Sequence, residues 1–237
     1  ILIYNTNSLE VIGRIRNVLS PETFDLHPNG KYLVVSNEDD ATATVWDWTE
    51  GKLLQEFNTG EEPEGVKITK DGKIAFVASE VADVVHVLNL ESGKIQKNIP
   101  VDRRPRRLAL SNDEKKLYVS AELGSIVNII STETFEVIKA IIFLPKGFKK
   151  EEITPVDVIL NSENSLGFVA LGIANHIGVF EPNTGEILDY ILVGKRAWGM
   201  ALSENDNYLY VANGMSDDIS IIDVKKRKVL RSVKVGE

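Results

Sequence analysis

Five glutamates stand at two recurring positions. Glu22 and Glu64 lie 42 residues apart, and Glu38, Glu80 and Glu122 follow one another at the same interval. Arg104, Arg106 and Arg196 fall at or beside the same positions further along, and Trp198 replaces the glutamate in the last. Carboxylates gathered in one place can hold a divalent cation such as Ca²⁺, which takes oxygen ligands. Guanidiniums gathered in one place offer planar forks to a carboxylate or phosphate. The bland alternative is that the acids and arginines pair and satisfy each other. Either outcome needs a frame that brings residues far apart in sequence to one face.

The spacing identifies that frame. An apolar run ends at Asn5, Asp47, Asn89, Ser131, Glu181 and Asp223, in steps of 42, 42, 42, 50 and 42. A second landmark, Val35, Val77, Val119, Val169 and Val211, precedes the last five by 12 each time. Within the unit that starts near Glu64, four Val- and Ile-rich runs cover residues 65–69, 73–78, 84–90 and 94–99, as strands prefer. Lys70-Asp71-Gly72 and Glu91-Ser92-Gly93 separate them, with residue types that tolerate positive φ. No segment keeps a helical period. Four short strands per repeat of about 42 residues predict an all-β fold, a β-propeller of four-stranded blades. A lone blade cannot bury both faces, and stacking solves that.

Complete blades are expected over residues 22–57, 64–99, 106–141, 156–192 and 198–233. Residues 1–16 supply two strands of another, all within one propeller domain. Seven such blades would need roughly 300 residues, so the chain is expected to be an incomplete ring.

In a propeller the loops before strand 1 and after strand 2 share one face. The repeat puts Ser20, Glu62, Arg104, Thr154 and Arg196 just before strand 1. Two residues later come Glu22, Glu64, Arg106, Val156 and Trp198, and after strand 2 come Glu38, Glu80, Glu122, Gly172 and Gly214. A variable charged set on a constant frame is the pattern expected of loop-borne binding. Trp198 beside Arg196 fits an interface anchor or a side chain packed between blades. The one long step marks an insertion within residues 143–154, where Phe143, Leu144 and Phe148 are apolar among charged neighbours. That loop either docks a partner or folds over its own blade.

Other chemistry is excluded or unsupported. The chain has no cysteine, which removes disulfides, thiolate metal sites and haem attachment by thioether. Its net charge of −8 argues against nucleic acid. No apolar run is long enough to span a membrane as a helix. His27, His86 and His176 occupy different repeat positions, so a shared metal site is not expected. No phosphate loop, dinucleotide fingerprint or Ser-His-Asp order is present, and no cofactor motif is evident. Asp47, Asp223 and their equivalents read as strand-end residues bonding the next turn.

The runs Leu117-Tyr118-Val119-Ser120-Ala121 and Leu209-Tyr210-Val211-Ala212-Asn213 resemble the YVTN motif, and Asp218-Ile219-Ser220-Ile221-Ile222-Asp223 resembles its continuation. Trp46-Asp47 alone does not make a tryptophan–aspartate repeat, because no Gly-His pair precedes it. Residues 21–40, 103–122, 168–175 and 189–224 are similar to the propellers associated with PQQ-dependent alcohol oxidation. That resemblance implies seven blades, a periplasmic or secreted location and association with redox enzymes, without an established catalytic activity. The leading expectation is therefore a non-catalytic partner or subunit of a quinoprotein dehydrogenase or cytochrome-containing enzyme. Its alternatives are a small-molecule or metal-ion-binding propeller, including a lactonase-like hydrolase, and a surface-layer module.

Overall fold

The structure is a computed structural model and describes residues 1–236. Its strands form five four-stranded antiparallel sheets and one two-stranded sheet. Sheet I pairs Leu2–Tyr4 with Val11–Arg14. Sheet II is Pro21–Leu26, Tyr32–Asn37, Thr42–Asp47 and Lys52–Asn58; sheet III is Pro63–Ile68, Ile74–Ser79, Val84–Asn89 and Lys94–Pro100. Sheet IV is Pro105–Leu110, Lys116–Ala121, Ile126–Ser131 and Glu136–Ile142. Sheet V is Asp157–Leu160, Gly167–Ala170, His176–Phe180 and Ile187–Leu192. Sheet VI is Ala197–Leu202, Tyr208–Asn213, Asp218–Asp223 and Lys228–Lys234. Each runs in chain order from one edge to the other, which makes it a meander. Among the described residues the only helical turn is the 3₁₀ segment Lys150–Glu152, inside the insertion.

The chain divides into two compact units. The first, Ile1–Val101, holds sheets I to III; the second, from Asp102 onward, holds sheets IV to VI. Each unit has its own core between stacked sheets. In the first, Val34, Val45, Phe57, Val77 and Leu88 pack together. In the second, Tyr118, Phe143, Val169 and Phe180 form one cluster, and Phe168, Ile177, Leu209 and Ile222 another. The two middle strands supply most of this apolar surface, whereas the fourth strand is largely exposed. Lys94 and Lys97 on such a strand blunt an edge that would otherwise pair with other chains.

Repeat residues explain the regularity. The landmark side chain at the end of strand 3 accepts backbone N–H groups of the following turn in every sheet. Asn5 bonds Asn7 and Ser8, Asp47 bonds Thr49 and Glu50, Asn89 bonds Ser92, and Ser131 bonds Thr134. Glu181 bonds Asn183 and Thr184, and Asp223 bonds Lys226. An acceptor at this position fixes the hairpin, which is the structural role expected from sequence. The Thr49 hydroxyl, Lys31 and these amides hold the Asp47 carboxyl down to about 2. Hydrogen bonds also stitch sheet to sheet. Asp25 Oδ2 accepts the Ile68 N–H (2.8 Å) in the first unit, and Asp157 Oδ2 accepts the Met200 N–H (2.8 Å) in the second. The protein is an all-β chain of β-propeller blades, five complete and one half-formed.

Candidate functional site

In sheets II, III, IV and VI, strand 1 carries a bulge at its start. The register shifts between Pro21 and Phe24, Pro63 and Val66, Pro105 and Leu108, and Ala197 and Met200. Glu22, Glu64, Arg106 and Trp198 sit inside those bulges, where an extra residue re-aims a side chain. The residue before strand 1 is left-handed at Ser20, Glu62, Arg104 and Arg196, with φ of 42°, 52°, 62° and 57°. Such φ values are uncommon outside glycine, so their recurrence marks a built feature. At each, the carbonyl accepts the N–H of the residue after strand 2: Glu38 on Ser20, Glu80 on Glu62, Glu122 on Arg104 and Gly214 on Arg196. These bonds of 2.8 to 2.9 Å tie the two loops of a blade together and put the expected residues side by side.

In the second unit this frame builds a cationic cluster around an indole. Arg106 is buried and its Nη1 lies 3.1 Å from Glu122 Oε2; Arg104 Nε lies 3.3 Å from the same oxygen. The Arg106 guanidinium also sits 4.8 Å from the Trp198 ring centroid, and Arg196 sits 4.6 Å from it. Trp198 is therefore held between two cations, each contact contributing on the order of 0.5–2 kcal/mol. Among the described residues no carboxylate lies within ion-pair distance of Arg196. Its loop is fixed through the backbone, since the Arg196 N–H donates to Asn175 Oδ1 (2.7 Å). Glu122 is thus clamped by arginines, as the pairing alternative predicts, while Arg196 keeps an open guanidinium.

In the first unit the same positions are acidic. Glu22 and Glu38 hydrogen-bond each other through their carboxyl groups. That bond, with partial burial and the nearby charges of Glu22, Glu64 and Glu62, raises the Glu38 carboxyl above its ordinary range. Glu64 and Glu80 are buried, at 3% and 4% exposure. The Glu64 carbonyl accepts the hydroxyls of Ser36 (2.6 Å) and Thr23 (2.5 Å). Among the described residues no group of three or more His, Asp or Glu side chains is placed to hold a metal ion.

The insertion corrects one expectation. Phe143 is wholly buried and does not project. Its ring packs edge-on against Phe180 (6.1 Å) and fills the space beside Gly178, where a Cβ would lie 2.5 Å from it. The equivalents of Gly178 in the other complete blades are Thr44, His86, Asn128 and Ser220, all polar. Glycine at that one position, with Leu171 beside it where the other blades have Asn37, Ser79, Ala121 and Asn213, was the signal for an apolar plug. Phe148 packs against the same cluster and lies edge-on to His176 (5.5 Å). The Tyr190 hydroxyl accepts the Leu144 N–H (2.7 Å). The loop folds over its own blade, and of the three apolar residues Leu144 alone is exposed, at 51%.

Sequence reasoning set His86 aside as a shared metal ligand and gave it no structural role. Its Nε2 accepts the Gly60 N–H (2.8 Å) and faces Ser79 Oγ (3.0 Å), so the proton is on Nδ1 and is donated to Asn98 Oδ1 (2.8 Å). Ser79 and His86 are buried at 0% and 5% exposure, so this chain of bonds is a spoke that holds a loop to a strand. Burial lowers the His86 pKa, and the bond to Asn98 opposes it.

Four-stranded propeller blades with charged loops define the class. A family model described as "Lactonase, 7-bladed beta-propeller" matches residues 96–234, more than half of the chain, and the chain belongs to that family. A solved structure described as Kuenenia stuttgartiensis hydrazine synthase is similar with a TM-score of 0.70 at 14% identity, over 99% of this chain and 91% of that one. The structure of U3-55K is similar with a TM-score of 0.79 at 12% identity, over 91% of this chain and 64% of that one. At such identities the likeness is one of fold. No curated protein matches the chain in sequence. No helix among the described residues is long and apolar enough to cross a membrane.

Proposed function

We propose that the protein is a small-molecule-binding propeller whose second unit takes a carboxylate-bearing ligand at Arg106, Trp198 and Arg196. One observation carries the reading: Arg196 is held against an indole with no acid partner, so its fork is available to an anion. The family's name makes lactone hydrolysis the first activity to assay. In that reaction water adds to the ring carbonyl, the acyl C–O bond breaks, and the ring oxygen takes the proton, giving a hydroxy acid. Guanidiniums suit both the oxyanion that develops and the carboxylate that results. The assay is release of acid from δ-gluconolactone and related lactones. Wild-type protein should exceed the buffer rate, and Arg196→Gln should remove most of the excess. A wild-type rate equal to buffer would remove the hydrolytic part, and binding of the hydroxy acid would then be tested alone.

A second reading rests on a different observation. The residue after Glu80, Glu122, Gly172 and Gly214 is Val81, Leu123, Ile173 and Met215, each about half or more exposed. In the second unit each of the three blades carries one such side chain, Leu123, Ile173 and Met215, on the loop after strand 2, whereas sheet II has Asp39 there; the pattern of the second unit suits protein docking. This supports the redox-subunit role in the periplasm that the resemblance to PQQ-associated propellers implies. Co-purification of a quinoprotein or cytochrome from native extract, lost on changing Leu123, Ile173 and Met215 to Ser, is the expected result. A lone monodisperse protein would contradict it.

A further inference from the structure

Beside its plug, the insertion roofs a recess over strand 4 of sheet V. In sheets II, III, IV and VI the fourth strand is largely exposed, whereas Ile187, Leu188, Asp189 and Tyr190 of sheet V are all half-buried. With Pro145, Lys146 and His176 these residues line an open cavity of about 440 Å³. Sites for small molecules span about 300–1,000 Å³. Only this unit carries the insertion that makes the roof.

Three side chains of this wall keep hydrogen-bonding capacity that the fold does not use, and none of them is sealed in the core. The Tyr190 hydroxyl accepts the Leu144 N–H (2.7 Å), and its own proton meets no acceptor among the described residues. Burial raises the Tyr190 pKa, with the Leu144 N–H pulling the other way, so the phenol keeps that proton. His176 Nδ1 lies 2.6 Å from the Ala174 carbonyl, which puts the ring proton on Nδ1 and leaves Nε2 an acceptor. Phe148, edge-on to that ring, helps to hold it. Lys146 is exposed, and no carboxylate lies within ion-pair distance of it among the described residues. The wall therefore offers two donors and one acceptor. Its formal charges, on Lys146 and Asp189, cancel. Asp189 Oδ1 accepts the Tyr190 N–H (2.8 Å), which sets a negative charge beside the phenol and disfavours an anion there. A neutral molecule rich in hydroxyls fits, because each hydroxyl both donates and accepts. Pro145, Ile187 and the rings of Tyr190 and His176 suit the C–H face of a sugar ring.

We infer that the cavity under the insertion is a binding site for a neutral monosaccharide, its hydroxyls on Tyr190 Oη, Lys146 Nζ and His176 Nε2 and its C–H face on Pro145 and Ile187. The probe is methyl β-D-glucopyranoside, which has neither a carboxylate nor a lactone to hydrolyse. It is titrated into the full chain, followed by saturation-transfer NMR and by the ¹⁵N resonance of His176 Nε2. Saturable binding with a dissociation constant on the order of 1–10 mM is expected. The Nε2 resonance should shift as it accepts a hydrogen bond, and sodium acetate at matched ionic strength should not move it. Tyr190→Phe and His176→Phe keep a packed ring and should each weaken binding about threefold to tenfold by saturation transfer, with the fold checked by circular dichroism. Arg196→Gln should leave glucoside binding unchanged, since Arg196 does not line this cavity. A response to acetate in preference to the glucoside would overturn the inference. So would a glucoside affinity unchanged by both ring variants, or no saturation at all, which would leave a water-filled recess.

Discussion

The two units use one loop frame with opposite charges. In the first, the positions before strand 1, in its bulge and after strand 2 carry Glu22, Glu38, Glu62, Glu64 and Glu80. In the second they carry Arg104, Arg106, Arg196 and Trp198, with Glu122 the one acid of the series. The backbone at those positions hardly differs: the same left-handed residue, strand bulge and loop-to-loop bond recur. The frame therefore does not dictate the side chains it presents, and each set shows a different electrostatic outcome. Two carboxyls of the first unit share a hydrogen bond, and Glu38 binds its proton more readily than usual. In the second, one carboxylate is shared by two guanidiniums and a third guanidinium stays open.

The contrast is easiest to break in the second unit. Phe143→Ala should cost the most, about 3–5 kcal/mol, because the plug beside Gly178 has no polar spoke to replace it. Leu144→Ala on the same loop should cost almost nothing; urea denaturation compares the two. Arg106→Leu leaves Glu122 largely buried with only the more exposed Arg104, and should cost about 3 kcal/mol. Its counterpart in the first unit, Glu38→Gln, should be neutral or slightly stabilising at pH 7, since it relieves like charges.

Acid sharpens the comparison further. The lowered His86 pKa means that the unfolded chain takes up that proton first. The His86 contribution is thus intact above the ordinary pKa near 6.5 and is lost as pH falls through the lower folded value. Glu38 acts in the opposite sense: its pKa is raised in the fold, so its repulsion is relieved as pH drops toward the ordinary carboxylate range. Urea midpoints from pH 8 to 5 should fall in the wild type and fall less in His86→Gln, measured relative to each protein at pH 8. Tyr118→Phe should cost less than either Phe143→Ala or Arg106→Leu and should not depend on pH. The Tyr118 hydroxyl donates to the Pro182 carbonyl (2.7 Å), and the loss should cost about 1 kcal/mol at any of these pH values.

Most of the fold was legible because it is periodic. Two landmarks gave the strand positions, and the observed strands of sheet III begin within two residues of the expected runs. The first strand starts earlier, at Pro63, because pairing with Ser79 resumes on the far side of the bulge. The acceptor role of Asp47 and its equivalents was also legible, since strand-end Asp, Asn and Ser before a turn have a local mechanism. The site was legible as a set of positions and not as a set of contacts. Alignment grouped five glutamates, yet Glu64 and Glu80 are buried while Glu22 is exposed. Distances between blades decide which carboxylate meets which guanidinium, and no spacing along the chain encodes them. Phe143 misled because an aromatic in a charged insertion looks exposed. The glycine that receives it lies 35 residues away.

The most direct test is calorimetric titration of gluconate, a carboxylate-bearing hydroxy acid, into wild type, Arg196→Gln and Glu38→Gln. Saturable binding is expected in wild type, with at least about tenfold weaker binding in Arg196→Gln and no change in Glu38→Gln. Equal affinity in wild type and Arg196→Gln would contradict a carboxylate site at Arg196.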